Sequence, residues 1–339
     1  MAQEMSKYAA AGVNIDAGNE AVNRIKKHAR STFNSHVLTD LGFFGGLYQL
    51  SDDSDQVLVS SVDSVGTKLK LAIALDKHDT VGMDIVNHCI NDIFTCGASP
   101  LFFMDYLAVA SLDPAQAESI ISGLASACRD AGIALIGGET AELPGMYAEG
   151  DYDLVGFVLG IVYKDKVING AGIATGDVIL GLPSSGLHTN GYSLARKIFG
   201  EDAASLSKVY PELGRMLGEV LIEPHRCYYK PVKPVLPYIK GMAHITGGGL
   251  IENVPRIIPD GLTASFNTAS WEVPPIFELI EKTGDVSREE MYRVFNMGLG
   301  MVLVCSLSDV EKIKSSVPDA MVVGKVVESK KLDSKVIIS

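Results

Sequence analysis

The chain has 339 residues, and its 47% hydrophobic and 21% charged content is typical of a folded globular protein. Two domains are expected, because this length exceeds that of one typical core. The formal net charge of −12 argues against binding to nucleic acid, whose phosphates are bound by basic patches.

Cysteine usage and hydropathy predict a cytoplasmic protein that does not bind a membrane. The five cysteines show no C-x-x-C spacing, which indicates free thiols in a reducing compartment. The longest apolar stretch, residues 101–110, contains Asp105 and is too short to span a bilayer. The first residues also lack the cationic and apolar regions of a signal peptide.

The first half of the chain alternates between predicted helices and strands. Periodicity and capping predict helices over Asn19–Arg30, Thr67–Leu75 and Thr80–Cys96, and one that begins at Asp113. Apolar or alternating runs predict strands over Leu41–Tyr48, Val57–Val62, Leu101–Ala110, Ile133–Ile136 and Tyr152–Tyr163. The pattern pauses at Asn169–Gly172, so we expect two domains, residues 1–168 and 169–339.

The second half repeats this mixture without a strict strand–helix–strand rhythm. Helices are predicted over Ser193–Ile198 and Pro224–Leu236, and one is predicted to begin at Leu250. Strands are predicted over Val178–Leu182, Met301–Cys305, Met321–Val326 and Val336–Ser339. The predicted fold class is therefore α+β, or mixed α/β.

The segment from Val59 to Lys68 combines a strand, a carboxylate and a glycine turn that leads into a helix. Asp63 ends the strand, and Gly66, Thr67 and Lys68 follow in the turn. Backbone N–H groups at a helix N-terminus bind anions, and a carboxylate beside them binds a cation. The segment is not a P-loop, and an ordinary strand–turn–helix remains an alternative.

Two further acidic residues could complete a magnesium site with Asp63. Asp92 follows Asn91 in an otherwise apolar helix, and Glu139 follows two glycines after a strand. Magnesium prefers carboxylate oxygens and commonly links them to substrate phosphates. For Asp92, a satisfied buried carboxylate or a surface position remains an alternative.

Two glycine-containing loops in the second half are candidates for substrate binding. One places Ser184, Ser185, His188 and Asn190 ahead of a helix. The other runs from Thr246 through Gly247, Gly248 and Gly249 into the next helix, and would suit a phosphate. A structural role for His188 remains an alternative to catalysis, and neither a Ser-His-Asp triad nor an H-E-x-x-H zinc motif is convincing.

Taken in order, these segments resemble the phosphoribosylformylglycinamidine cyclo-ligase family, the aminoimidazole ribonucleotide synthetases of purine biosynthesis. The resemblance runs from about Tyr8 to about Val326. It rests on Gly12–Asn19, Val62–Lys68, Asn91-Asp92, Pro100–Tyr106, Gly137–Tyr147, Ser184–Ser193, His244–Leu250 and Phe295–Gly300. Each motif alone is weak, but the ordered set is specific.

The resemblance implies an ATP-binding fold shared with selenophosphate synthetase, the hydrogenase-maturation dehydratase and thiamine-monophosphate kinase. It implies that the N-terminal domains of two subunits pair into a β-barrel, giving a homodimer with the nucleotide in a cleft between domains. The implied reaction converts formylglycinamidine ribonucleotide and ATP to aminoimidazole ribonucleotide, ADP and phosphate. ATP and Mg²⁺ are the implied cofactors.

The resemblance and the residues together give a set of expected site roles. Asp63, Asp92 and Glu139 are expected to bind magnesium, and Asp63 is also placed at the catalytic centre. Lys26 is expected to reach the γ-phosphate, and His188 to contact substrate or transfer a proton. The expected nucleotide-binding residues are Gly66, Thr67, Lys68, Asn91, Asp92 and Thr140. The expected substrate-binding residues are Ser184, Ser185, His188, Asn190, Thr246, Gly247, Gly248 and Gly249.

Three positions depart from the family pattern, at Ser64, Phe43 and the Ala9-Ala10 pair. Ser64 replaces a glycine, and it would strain the turn if that position required a positive φ. The rival interpretations are another enzyme of the ATP-binding group and a non-catalytic nucleotide-binding subunit. Selenophosphate synthetase needs a reactive cysteine near the N-terminus, whereas the first cysteine here is Cys89.

Overall fold

The computed structural model describes residues 6–329 and 335–339, and it has the predicted α+β class with two sheets. The helices are α1 Lys7–Ala10, α2 Ile15–Arg30, α3 Leu69–Ala74, α4 Asp79–Phe94, α5 Pro114–Ala131, α6 Tyr192–Phe199, α7 Ala203–Leu206, α8 Leu217–Leu221, α9 Tyr229–Val232, α10 Gly249–Asn253, α11 Pro275–Gly284, α12 Arg288–Val294 and α13 Val310–Ser316. The strands are β1 Gly46–Gln49, β2 Gln56–Ser64, β3 Ser99–Val109, β4 Ala134–Glu142, β5 Tyr152–Tyr163, β6 Val178–Pro183, β7 Ile239–His244, β8 Leu262–Phe266, β9 Leu299–Cys305, β10 Met321–Glu328 and β11 Val336–Ile338.

The N-terminal sheet has the order β1-β2-β5-β3-β4, and the C-terminal sheet has the order β11-β8-β10-β6-β9-β7. All strands of the first sheet end by Tyr163, and all strands of the second begin at or after Val178. The predicted boundary at 168/169 falls between them, and the first five residues of the predicted N-terminal domain lie outside the described residues. Within the described part of the chain, no helix combines the length and the apolar character needed to cross a bilayer.

The two faces of the N-terminal sheet have different environments. We call the face that packs against α4 the inner face. On it, Asp63, Gly156, Asp105 and Gly138 lie opposite one another across β2, β5, β3 and β4. A Cβ atom at Gly156 would lie 2.7 Å from Ile85 of α4, so glycine allows the helix to approach closely.

The opposite face, which we call the outer face, is largely apolar, and none of the described residues covers its central row. Val62, Phe157 and Met104 form one row across it, and all three are exposed. The α4 helix, by contrast, is buried along nearly its whole length. The core of this domain therefore lies on one side of its sheet only.

Several predicted elements need correction. The strand predicted over Leu41–Tyr48 is restricted to β1, because residues 41–45 form turns and bends. The strand predicted over Ile133–Ile136 continues to Glu142 as an edge strand. The helix predicted over Pro224–Leu236 is wrong for residues 224–228, which have no regular structure; α9 and a 3₁₀ helix, Lys233–Tyr238, follow them.

Candidate functional site

Asp63 and His88 form the exposed end of a polar cluster on the inner face. The end of β2 presents the Asp63 carboxylate to α4, where His88 Nε2 lies 3.0 Å from Asp63 Oδ2. The Asp63 side chain is 40% exposed, whereas His88 is buried. Burial lowers the pKa of His88, but the charges of Asp63, Asp92 and Asp84 outweigh it and raise the pKa to about 9. His88 is therefore a buried imidazolium cation beside two carboxylates.

Asp92 lies one helical turn after His88 and is satisfied within the protein. Its Oδ1 accepts a hydrogen bond from His244 Nδ1 at 2.7 Å, and its Oδ2 accepts one from Ser61 Oγ at 3.3 Å. The same Oδ2 is 3.7 Å from His88 Nε2. Sequence reasoning left open a satisfied buried carboxylate at this position, and the geometry favours that interpretation over a freely available metal ligand.

A chain of buried histidines continues from Asp92. His244 Nε2 lies 2.9 Å from His225 Nε2, and the ring of His225 stacks on that of His188 at a centroid distance of 3.9 Å. Burial lowers the pKa of all three rings, so they are neutral near pH 7. His188 is consequently held in its neutral form beneath the loop that carries it.

Hydrogen-bond partners fix the tautomer of each ring. Because the Asp92 carboxylate only accepts, His244 carries its proton on Nδ1, and its Nε2 accepts from His225 Nε2–H. His188 Nε2 accepts from the backbone N–H of Ser185 at 3.1 Å, so its proton is on Nδ1. The remaining nitrogens, Nδ1 of His225 and Nδ1 of His188, are buried and find no hydrogen-bond partner within residues 6–329 and 335–339.

The three rings do not fit a common metal ion, although their nitrogen atoms lie within 4.8 Å of one another. The rings of His188 and His225 stack at a centroid distance of 3.9 Å and are inclined by only 21°, so their lone pairs lie in two nearly parallel planes. Tetrahedral or octahedral ligands must converge on one point. His188 would also have to give up the hydrogen bond that it accepts from Ser185.

The two loops predicted to bind substrate lie beside each other. A Cβ at Gly247 would be 3.1 Å from Asn190 Oδ1, which places the second loop against the first. Asn253 Nδ2 donates to the carbonyls of Thr246, Gly247 and Gly249 and thereby holds the second loop. In the first loop, Ser184 Oγ donates to Asn296 Oδ1, and Ser185 Oγ donates to the carbonyl of Pro224.

The turn after Asp63 is unstrained at the position that departs from the family pattern. The positive φ in this turn is at Gly66, at +70°, and Ser64 does not have one. Ser64 completes β2, paired with Val155. Thr67 Oγ1 lies 3.0 Å from Ser193 Oγ at the start of α6, so the turn and the first substrate loop share one edge of the site.

Lys68 and Asn91, two of the predicted nucleotide contacts, are buried and already bonded. Lys68 is fully buried, and its Nζ lies 2.8 Å from Asp84 and donates to the carbonyl of Glu223. Asn91 donates from Nδ2 to the carbonyl of Arg226, and its Oδ1 accepts from the N–H of Tyr228. Contact with a nucleotide phosphate requires exposed donors, so this geometry does not support that role for either residue.

Glu139 does not join Asp63 and Asp92 within this chain. It lies on the edge strand β4, opposite Tyr106, and therefore on the outer face. It is separated from Asp63 by three interstrand spacings, roughly 14 Å. Thr140, its neighbour in β4, is exposed at the same edge.

Lys26 lies on α2, a helix with no buried residue. The Arg30 hydrogen bond is the main cause that lowers the pKa of Asp40 to about 2, with a smaller contribution from the charge of Lys26. Lys26 therefore lies near Asp40 in the described structure. Its reach toward a γ-phosphate remains a prediction.

Sequence reasoning missed most of the polar network. Asp84, Asn87, His88, Asn91 and Asp92 are spaced by three or four residues and form one buried polar stripe along α4. This spacing was visible in the sequence and could have identified the stripe. His225, in contrast, comes from an irregular segment and carried no local signal.

Two family descriptions match most of the described chain. AIR synthase related protein, N-terminal domain, matches residues 45–162, and AIR synthase related protein, C-terminal domain, matches residues 174–337. The chain is 54% identical over 312 residues to phosphoribosylformylglycinamidine cyclo-ligase of Caldicellulosiruptor bescii, with 91% of this chain and 92% of that protein covered. It is 51% identical over 328 residues to the protein of the same name from Caldanaerobacter subterraneus subsp. tengcongensis, covering 95% and 98%.

A solved structure has the same fold at low identity. AaThiL complexed with AMPPCP and TMP aligns with a TM-score of 0.66 and 14% identity, covering 94% of this chain and 92% of that one. At this identity the likeness shows a common fold alone.

Proposed function

The chain belongs to the phosphoribosylformylglycinamidine cyclo-ligase family of AIR synthase related proteins and is an enzyme of that class, and we propose that it closes the imidazole ring of aminoimidazole ribonucleotide. Its substrates in this proposal are formylglycinamidine ribonucleotide and ATP. The observation that carries the proposal is the identity above 50% with two relatives of that name over more than nine tenths of the chain.

The chemistry requires that a formyl oxygen be made into a leaving group. Transfer of the γ-phosphoryl group from ATP to that oxygen forms an O–P bond, releases ADP, and leaves a phosphate ester on the oxygen of the formyl carbon. An amidine nitrogen then attacks this carbon, the C–N bond closes the ring, and inorganic phosphate departs with the oxygen as a proton leaves the nitrogen. The protein contributes positioning and charge stabilisation.

The exposed end of the cluster suits a nucleotide with its cation. Asp63 presents an exposed carboxylate beside the Gly66–Thr67 turn, and magnesium commonly binds one or two carboxylates together with substrate phosphates. Bound there, Mg²⁺ would neutralise charge on the phosphates. Asp92 would join it only by giving up its bond to His244, and Glu139 lies on the outer face.

The paired loops are the proposed place of the ribonucleotide substrate. Asn190 lies against Gly247 of the Thr246–Gly249 turn, and Gly247 is exposed at the surface. Such a turn at the start of a helix accommodates a phosphate. AMPPCP, an ATP analogue, is bound by the structural neighbour AaThiL, which supports nucleotide binding by this fold.

We further propose a homodimer formed through the outer face. Its exposed row of Val62, Phe157 and Met104 reaches Gly137 of the edge strand, and exposed Ile136 precedes that residue at an irregularity in the strand pairing. Contiguous apolar patches of this kind mark interaction surfaces. Glu139 and Thr140, on that edge strand, would then lie near the partner.

The deciding experiment measures ADP release by the purified chain with ATP and Mg²⁺. ADP that appears only when formylglycinamidine ribonucleotide is present, together with one equivalent of aminoimidazole ribonucleotide, is the expected result. ADP release with thiamine monophosphate instead would identify a kinase of the same fold. Nucleotide binding without ADP release under either condition would identify a non-catalytic subunit. Asp63→Asn should abolish release while the protein still unfolds cooperatively.

A further inference from the structure

The buried polar stripe of α4 faces an irregular segment of the C-terminal half, residues 223–228. Asp84, Asn87 and Asn91 lie at i, i+3 and i+7, so they project from one side of the helix. Each of the three is buried. Buried polar side chains need partners, and the 223–228 segment supplies them.

The side chains of the stripe bond to backbone groups of the segment in order. The Asp84 carboxylate accepts from the N–H of His225 at 2.7 Å, and Asn87 Nδ2 donates to the carbonyl of the same residue at 2.7 Å. Asn91 donates to the carbonyl of Arg226 at 2.8 Å and accepts from the N–H of Tyr228 at 2.9 Å. These bonds replace the backbone partners that a helix or sheet would provide.

Lys68 strengthens the same contact. Its Nζ lies 2.8 Å from Asp84 and donates to the carbonyl of Glu223 at 2.7 Å. The residue from the predicted nucleotide turn therefore contacts the first residue of the segment. We call Asp84, Asn87 and Asn91 of α4 together with Lys68 the clasp.

The clasp holds the backbone that carries the ring of His225. The ring itself bonds through Nε2 to His244, whereas Nδ1 of His225 and Nδ1 of the stacked His188 have no hydrogen-bond partner among the described residues. The backbone of His225 is held on both its N–H and its carbonyl by the clasp. His188 itself has a left-handed backbone with φ of +61°, which a non-glycine residue adopts only when its surroundings hold it there.

We propose that Asn87, Asn91, Asp84 and Lys68 are positioning residues that hold the His225–His188 stack beneath the substrate loop. This inference rests on the proposed function, because it assigns their effect to turnover. Lys68 and Asn91 were expected to contact the nucleotide. In this proposal they instead join the N-terminal half of the chain to the C-terminal half. The geometry leaves both residues no exposed donor for ATP.

Histidine NMR tests the structural half of the proposal without substrate. The full-length protein contains seven histidines and can be labelled on their rings, with His225→Gln and His188→Gln used to assign the two signals. Asn87→Ala should shift both signals and leave those of exposed His28 and half-buried His36 unchanged. Asp177→Asn, which breaks a partly buried ion pair with Lys240, is the matched control and should leave the stack signals in place.

Steady-state kinetics tests the functional half. Asn87→Ala and Asn91→Ala should lower kcat by up to about 10²-fold, with the KM for ATP changed by less than about twofold. In a His225→Gln background, Asn87→Ala should cause no further loss, since its effect passes through that ring. Asp177→Asn should retain the wild-type kcat.

Three outcomes overturn the proposal. A rise in the KM for ATP with kcat retained in Asn91→Ala would show that Asn91 binds the nucleotide. Unshifted His225 and His188 signals in Asn87→Ala would show that the clasp does not position the rings. Additive losses in the His225→Gln background would show that Asn87 acts elsewhere. An inactive wild type with shifted signals in Asn87→Ala would instead refute the proposed function and leave the structural assignment standing.

Discussion

The two faces of the N-terminal sheet differ in whether their side chains find partners within the same chain. On the inner face, Asp63, Asp92 and the histidines have partners from α4 and from the C-terminal half. On the outer face, Val62, Met104 and Phe157 are exposed, and Glu139 lies at its edge. The same strands supply both faces, because alternate residues point to opposite sides. A network within one chain and a surface suited to a second chain are thus built from adjacent residues.

The largest expected effect comes from removing the buried cation Lys68, which pairs with Asp84 of α4. Lys68→Met leaves the Asp84 carboxylate buried without its cation, which should lower the free energy of unfolding by about 3–5 kcal/mol. Urea denaturation measures it. Lys312→Ala, which removes an exposed ion pair with Asp309, serves as the control and should change the free energy of unfolding by less than about 1 kcal/mol. Equal effects in the two variants would mean that the inner pair contributes no more than a surface one.

The next effect depends on pH and on the His88 imidazolium. With a folded pKa of about 9 and an unfolded value near 6.5, His88 contributes stability that is fully present below pH 6.5. This contribution is lost as the pH rises through 9 and is on the order of 3 kcal/mol. Denaturation of EDTA-treated protein at pH 6 and pH 9.5 should show this loss in the wild type and not in His88→Gln. If the stability of both proteins fell equally between pH 6 and pH 9.5, the group that loses its charge would not be His88.

A smaller effect is expected from alanine substitutions that compare the packing of the two faces. A Cβ at Gly156 would lie 2.3 Å from the Phe103 ring on the inner face, whereas one at Gly137 would meet nothing within 4 Å. Gly156→Ala should therefore destabilise by about 1–3 kcal/mol through overpacking. Gly137→Ala should stay within about 0.5 kcal/mol of the wild type in thermal denaturation. Comparable losses in both would contradict the close approach of α4.

The smallest effect on the stability of the single chain tests the outer face. Val62→Glu places a charge at a 65% exposed position, so it should change the stability of the folded chain by less than about 0.5 kcal/mol. It should nevertheless convert the proposed dimer to a monomer, as measured by light scattering. Val209→Glu, at an exposed position of the other domain, should remain dimeric. A dimeric Val62→Glu would locate the interface elsewhere.

Local patterns predicted much of the fold. The alternating run of β5 was predicted with its observed bounds, Tyr152–Tyr163, and α4 was predicted within about two residues. The strand ending in Ile136 was cut short, because Gly137 and Gly138 suggested a turn where an edge strand continues. Glu139 was consequently expected beside Asp63 rather than on the other face.

The site was harder to predict, because the residues that bond to one another in it are far apart along the chain. His225 contacts α4 from a segment whose backbone bonds to side chains, and no periodicity marks such a segment. Lys68 was assigned to phosphate on its turn sequence, which does not reveal that its ammonium is buried against Asp84. Asp92 was placed in the right cluster, but its bond to His244 depends on a strand more than a hundred residues away.

The α2 helix shows what attachment by a few surface contacts means for the molecule. All its side chains are exposed or half-buried, its ion pairs to other segments join Asp16 to Arg293 and Arg30 to Asp40, and Asn19 donates a 3.5 Å hydrogen bond to Glu252. Surface ion pairs of this type contribute little to stability. Limited proteolysis should therefore remove this segment first, leaving a resistant fragment that retains both sheets.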